Sequence, residues 1–398
     1  VTAGLSRLDL VANIRFPGRR ANAIQVAYMA EALSATGLTV EVVVPRRYPY
    51  REIDAFEYYG VRRTFRVQRI ASLDTIDMVP PRWQRVPFLV QSVTFGWRAL
   101  ARVAIERDAG VLARDHYTLD VLVRGLRDAD RLRVAAEVHN LPRHPERRRR
   151  LLGHLGTLPA VVTISEALRE DLLAEGIAPE RVLTAHDGVE LRRFEGLHDA
   201  CTARREIGIP VDVPTVVYSG QLYPWKGVDT LVEAVGRCPD VQLLIVGGIG
   251  GDLGRLQALA ERAAPGRVVF TGTVPHGNVP FYLSAADVVA IPNSGREAIS
   301  ARYTSPLKLF EAMACDRPIL ASDLPSLREV LEHDRNGHLV EADDVEAMAA
   351  GLRALLDDEE RARRLARTAT RDVRAYDWSR RGRRVCDFLR DRLRVGAR

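Results

Sequence analysis

Strand-length apolar runs alternate with helical stretches along almost the whole 398-residue chain, and the alternation restarts once, at Pro214. In the first half, residues 8–14 and 39–44 read as buried strands flanking a helical pattern over 23–36 that Gly37 ends, which makes one βαβ unit. Further strands are expected at 67–70, 111–113, 133–137 and 160–164, with helical stretches at 91–108 and 166–174. After Pro214 come strands at 215–219, 241–246, 268–271, 288–291 and 318–321, with helices at 228–237, 254–263, 280–284, 305–315, 324–331 and 344–358. Runs this apolar, separated by helices, predict mainly parallel sheets covered on both faces. The expected class is therefore α/β, with two doubly wound domains at 1–195 and 214–375 and a charged, proline-containing linker at 196–213. A cleft between the two is the expected ligand site.

Composition narrows the ligand. A formal net charge of +6, carried almost wholly by arginine, suits an anionic partner such as a nucleotide or a phospholipid surface. The arginines lack the aromatic interleaving of a single-strand nucleic-acid groove, so no nucleic-acid partner is expected. Cys201, Cys238, Cys315 and Cys386 lie far apart, which gives neither a zinc ribbon nor a disulfide framework and points to a reduced cytoplasm. The early apolar run lacks the form of a signal peptide, and no window reaches membrane-spanning length. Zincin, P-loop and α/β-hydrolase signatures are missing from the sequence.

Several stretches can carry chemistry. Residues 305–311 read S-P-L-K-L-F-E: a loop turned by Pro306 enters a helix bearing Lys308 and Glu311. Backbone amides at Ser305, Leu307 and Lys308 can receive a diphosphate there, while the Glu311 carboxylate can hold a ribose. The strand-to-helix stretch 218–227 places Gly220 and Gln221 where backbone approaches a phosphate, with Lys226 in the expected first helical turn. In the first half, the turn at 16–25 offers Gly18 for close approach and Arg19, Asn22 and Gln25 as donors. His139 and Arg114 follow strands at the same edge. Arg143 and Arg147, Arg148, Arg149 and Arg150 form a basic cluster, read as a contact for anionic lipid head groups or a phosphate-bearing acceptor, or else as a solvated helix face. The glycines at 247, 248, 250 and 251 do not fit a dinucleotide fingerprint, because Leu253 stands where its last glycine is needed.

Taken together, Gly220-Gln-Leu-x-x-x-Lys226-Gly, Ser305-Pro-Leu-Lys-Leu-Phe-Glu-Ala-Met-Ala, Pro318-Ile-Leu-Ala-Ser-Asp and Phe16-Pro-Gly-x-x-Ala-Asn-Ala-Ile-Gln resemble the retaining glycosyltransferases of family 4. The resemblance implies the GT-B architecture, two Rossmann-like domains facing across a cleft. It also implies a C-terminal helix over 376–398 that returns to complete the first domain. The donor would be a nucleoside diphosphate sugar held by the second domain, and the acceptor a hydroxyl compound held by the first. Neither metal nor cofactor would be required.

Carried over by position, Glu311 resembles the second glutamate of an E-x7-E motif, Lys226 the lysine on the donor phosphates, and His139 the histidine near the transferred sugar. Gly18 resembles the glycine facing the diphosphate. Tyr303 stands where the first glutamate falls, with Glu297 a substitute from the preceding loop, and Gln221 stands where many members carry an arginine.

The function expected is hexosyl transfer with retention, in glycan, glycolipid or glycosylated-metabolite synthesis, after closure of the domains. A cytoplasmic location is expected, with peripheral contact at the inner face of an anionic membrane left open. Two alternatives remain: a sugar-nucleotide-binding protein without transfer activity, and a sugar-nucleotide epimerase of similar fold.

Overall fold

Every strand pairing among the described residues is parallel, in two separate sheets. The computed structural model describes residues 4–47, 53–248 and 250–395; the start of the expected first domain (1–3) and the tail of the expected last helix (396–398) lie outside the described residues. The chain divides into one unit of Val1–His186 with Trp378–Arg398, and a second of Asp187–Asp377.

In the first unit the strands are β1 (Arg7–Val11), β2 (Thr39–Pro45), β3 (Arg66–Ile70), β4 (Gly110–Ala113), β5 (Val134–Val138), β6 (Ala160–Thr163) and β7 (Val182–Thr184). They lie in the order β3-β2-β1-β4-β5-β6-β7, so the winding reverses between β1 and β4. The helix Trp378–Arg392 buries Trp378, Val385 and Leu389 on one stripe, and Tyr28 of the helix Ala21–Ser34 stacks on Trp378 at 5.9 Å. Arg381 donates to the carbonyl of His186 (2.9 Å), tying this helix to the end of the segment that follows β7.

The second unit holds β8 (Thr215–Ser219), β9 (Gln242–Val246), β10 (Val268–Gly272), β11 (Val288–Ile291), β12 (Ile319–Ser322) and β13 (His338–Val340), ordered β10-β9-β8-β11-β12-β13. Alternate residues feed two cores. Val217, Leu244, Val289 and Ile319 enter one, and Val216, Leu243, Val288 and Leu320 the other. That period of two is why these strands read as unbroken apolar runs in sequence. Leu244 is wholly buried, so Leu244→Ala should cost about 2–5 kcal/mol.

The structure corrects the expected elements in four places. The segment expected as a linker contains the helix Ala200–Ile207, part of the second unit, because Arg204 is buried and donates to the carbonyls of Ala285 (2.8 Å) and Val211 (2.9 Å). Strands β7 and β13 were not expected; at three residues each they are too short for period-two alternation to register. The helix expected at 91–108 runs from Arg85 to Ile105. Lys226 lies in a 3₁₀ turn, Pro224–Lys226, ahead of the helix Val228–Gly236, because Gly227 at φ 68° interrupts the helical path.

Candidate functional site

In an open parallel sheet the crevice forms where the winding reverses, at the carboxyl ends of the central strands. In the second unit that point lies between β8 and β11, and the loops leaving these strands are stitched together. Ser294 donates its N–H to the Trp225 carbonyl (3.1 Å), and the Ser300 hydroxyl donates to the same oxygen (3.2 Å). Gly227 sits so close beneath the β11 loop that a Cβ would stand 1.8 Å from the Pro292 carbonyl oxygen, so no other residue fits. Gly220, at φ 143°, brings its backbone against the Tyr218 hydroxyl and the Lys308 stem. The Tyr218 hydroxyl donates to the Gln221 carbonyl (2.6 Å), which fixes the turn containing both expected donor residues.

Two ammonium groups point into this loop cluster without carboxylate partners among the described residues. Lys308 is buried in the first turn of the helix Leu307–Ala314; its Nζ lies 4.5 Å from the centre of the Tyr218 ring and has no hydrogen-bond partner. Lys226 places its Nζ 3.8 Å from the centre of the Trp225 ring. Burial lowers the Lys226 pKa to about 7. Burial, with the nearby Lys226 charge adding to it, holds Lys308 well below the ordinary lysine range. Ring faces attract cations but compensate only part of the lost hydration.

The helix itself begins after Pro306 with no side-chain cap, so the amides of Leu307 and Lys308 are available to an anion, while that of Leu309 donates to the Pro306 carbonyl (2.9 Å). Ser305, expected beside the donor, accepts a hydrogen bond from the Asp187 N–H (2.9 Å) and so anchors the loop. Leu307 is half-buried and opens the helix. Two further groups at this sheet edge are buried with unsatisfied polar atoms: both side-chain polar atoms of Asn293, after β11, and the Ser322 hydroxyl at the end of β12. Asn293 was not singled out from sequence, since a lone Asn in a loop carries no spacing signal, and Ser322 entered only within the Pro318-Ile-Leu-Ala-Ser-Asp stretch.

Glu311 lies three residues beyond Lys308, on the same helix face. Its Oε1 meets His276 Nε2 at 2.7 Å, so this carboxylate already has a partner in the turn after β10. The pairing was not foreseen, although His276 was the one aromatic nitrogen ring in that loop. Tyr303 closes a π-helical turn, Ile299–Tyr303, with the Arg302 guanidinium 5.7 Å from its ring. Glu297 is half-buried just before that turn.

The first unit gathers a different set. Glu137, on β5, is buried and receives Gln25 Nε2 (3.1 Å), Arg114 Nε (3.1 Å) and His139 Nε2 (2.8 Å) on Oε1, while Arg381 lies 3.4 Å from Oε2. Burial alone would raise its pKa, but the Arg381 and Arg114 charges and the His139 hydrogen bond hold it well below the usual carboxylate range. Arg114 and Gln25, expected as exposed donors for an acceptor, thus turn their donors inward to Glu137. A buried carboxylate demands such partners. Arg114 also donates to the Asn22 carbonyl (3.2 Å). His139 is half-buried over this cage, and Arg19 and Asn22 are exposed. Gly18 is held by Tyr59, whose hydroxyl accepts its N–H (2.6 Å) and donates to its carbonyl (2.9 Å). Arg147, Arg149 and Arg150 are exposed on the helix Pro145–Leu155, where Arg148 pairs with Glu175 (3.2 Å).

The family match lies within the second unit. Residues 200–372 match the family described as glycosyl transferases group 1. A D-inositol 3-phosphate glycosyltransferase of Xylanimonas cellulosilytica is 34% identical over 59% of this chain and 58% of its own length. A phosphatidyl-myo-inositol mannosyltransferase of Mycobacterium tuberculosis is 36% identical over 48% of this chain and 51% of its own. The chain therefore spans little more than half the length of these curated relatives. Among solved structures, sucrose-phosphate synthase of Thermosynechococcus elongatus aligns with a TM-score of 0.81 at 22% identity over 97% of this chain and 98% of its own. Anabaena HepE in complex with UDP-glucose aligns at 0.73 and 17% identity over 97% and 99%. These likenesses bear out the expected GT-B class, with two Rossmann-like parallel-sheet units.

Proposed function

We propose that the chain, whose residues 200–372 match the family described as glycosyl transferases group 1, transfers a hexose from a nucleoside diphosphate sugar to an acceptor hydroxyl with retention at the anomeric carbon. One observation carries this reading: the enclosed, unpaired ammonium of Lys308, with Lys226 nearby, beside an uncapped helix start. A diphosphate satisfies all three features at once. It supplies the missing counter-charge, restores protonation to the lysines and accepts the free amides.

In the transition state negative charge grows on the leaving β-phosphate, and preorganised cations stabilise it more than they stabilise the ground state. Lys226, Lys308 and the amides near Leu307 serve that role, so the reading needs no divalent ion. Glu311, steadied by His276, takes the ribose hydroxyls. In the first unit His139, held by Glu137, is the group proposed to hydrogen-bond the sugar. Attack from the face of departure is the mechanism that the resemblance to retaining glycosyltransferases favours.

The relatives named for inositol phosphate and phosphatidylinositol favour a polyol ring as the acceptor class. The test is a calorimetric titration with a panel of nucleoside diphosphate sugars. Reaction of the binding donor with polyol acceptors follows, and the product linkage is read from its anomeric NMR coupling. Donor binding and a retained linkage support the proposal; donor binding without transfer to any acceptor, or an inverted linkage, rejects it.

A further inference from the structure

The helix Arg85–Ile105 is apolar on two opposite sides, and only one of them is covered. Its inner side buries Phe95, Ala99 and Val103. It also packs against the helix His116–Gly125, with Phe88 edge-on to Tyr117 at 5.5 Å. Its outer side carries Val86 (68% exposed), Val90 (42%), Trp97 (62%) and Ile105 (81%), and Trp83 (64%) and Met78 (57%) continue the surface just before it. The spacing of Val86, Val90, Trp97 and Ile105 keeps them on one stripe of a helix about 30 Å long. Scattered exposed apolar residues need no explanation, but four on one helical stripe, with a second exposed tryptophan just ahead of the helix, mark a binding surface.

Charge selects the occupant. From Met78 to Ile105 the sequence has no acidic residue, while Arg82, Arg85 and Arg98 are exposed and have no carboxylate partner among the described residues. Asp77, at the border, is already paired with Arg15. A symmetric pairing of two copies would set these arginines against one another. A negatively charged membrane surface receives both parts of the pattern: the indoles and aliphatic stripe enter the headgroup boundary, and the guanidiniums meet lipid phosphates. Among the described residues no helix is long and apolar enough to cross a membrane, so the fitting geometry is a helix lying along the surface.

We infer that the outer face of the helix Arg85–Ile105, with Trp83 and Met78, docks the first unit on anionic lipid. The inference is independent of the donor site. It is distinct from the Arg147 to Arg150 cluster, which offers charge on a helix with few exposed apolar residues.

The test is flotation of the full chain, without donor or acceptor, on phosphatidylcholine vesicles with and without roughly one third phosphatidylglycerol. Binding is expected on the anionic vesicles only, with a blue shift of tryptophan emission. Trp83→Ser with Trp97→Ser should lower partitioning about tenfold or more without changing the melting curve, since both rings are exposed. Arg82→Glu, Arg85→Glu and Arg98→Glu should each lower it by roughly fivefold or more. The wild-type emission shift tests the idea without any substitution.

Three results would overturn it. The first is no binding to anionic vesicles, or equal binding to neutral ones. The second is binding that ignores the tryptophan substitutions but is lost in Arg147→Glu with Arg149→Glu. The third is a dimer in sedimentation that these tryptophan changes dissociate, which would assign the face to a second copy.

Discussion

Each unit buries charge beside its sheet, and the two do so in opposite ways. Glu137 is enclosed by Gln25, Arg114 and His139 on one oxygen and faced by Arg381 on the other, so its charge is answered by the chain. Lys308 and Lys226 have only aromatic faces and each other's repulsion. A compensated buried charge is architecture, because removing either partner strands the other. An uncompensated one is a standing cost to the fold that a ligand relieves, so the second centre, and not the first, marks where an anion binds.

The largest expected effect comes from breaking the answered centre. Glu137→Ala should lower unfolding free energy by roughly 3–5 kcal/mol, because it leaves two guanidiniums buried without their carboxylate. Denaturant titration reads this, and a loss below about 1 kcal/mol would mean that the cage is not holding the first unit together.

Next in size is Lys226→Ala, which should cut turnover by about a hundredfold or more. Transfer at an undiminished rate would remove Lys226 from the chemistry. Lys308→Met should move two readings in opposite directions: the ligand-free protein melts higher, since an unpaired ammonium is gone, while donor affinity falls. A lower melting temperature with unchanged donor binding would show that Lys308 is structural. A smaller loss is expected in Glu311→Gln, with donor affinity falling about fivefold to tenfold by the usual worth of a charge-assisted hydrogen bond. His276→Ala should shift binding in the same direction, and to a lesser degree.

The pH profile of stability should separate the two centres without mutation. Glu137 has a folded pKa below its unfolded one, so its contribution is present above the ordinary glutamate value near 4.5 and is lost as pH falls through the folded value. Lys226 runs the other way. Its folded pKa of about 7 lies below the unfolded 10.5, so between these values the unfolded chain binds more protons and the stability of the ligand-free protein rises with pH. Lys226→Met should make the alkaline limb shallower, with Lys308 supplying what remains, and leave the acid limb in place; an unchanged alkaline limb would contradict the lowered pKa of that ammonium.

Much of this was legible in the sequence where the signal is local. Unbroken apolar runs between helices predicted parallel sheets, and parallel strands oblige the 220 and 305 loops to leave from one edge, which brings Lys226 and Lys308 together. What could not be read depends on residues far apart in the chain. Glu137 reads as part of an apolar strand until Arg114 and Arg381 arrive from positions 23 and 244 residues away (137 − 114 and 381 − 137). His276 and Glu311 meet across 35 residues. The linker was misplaced because Arg204, which anchors its helix, resembles the many surface arginines until its carbonyl partners are seen.

The central claim, that the unpaired lysines await a diphosphate, is tested most directly by titrating the full chain with UDP, GDP and ADP at pH 7.5–8, in two buffers of different ionisation heat. The account predicts saturable binding of at least one nucleotide, with proton uptake visible as a buffer-dependent enthalpy, and loss of that uptake in Lys226→Met with Lys308→Met. Binding without proton uptake, or uptake that survives the double substitution, would contradict it.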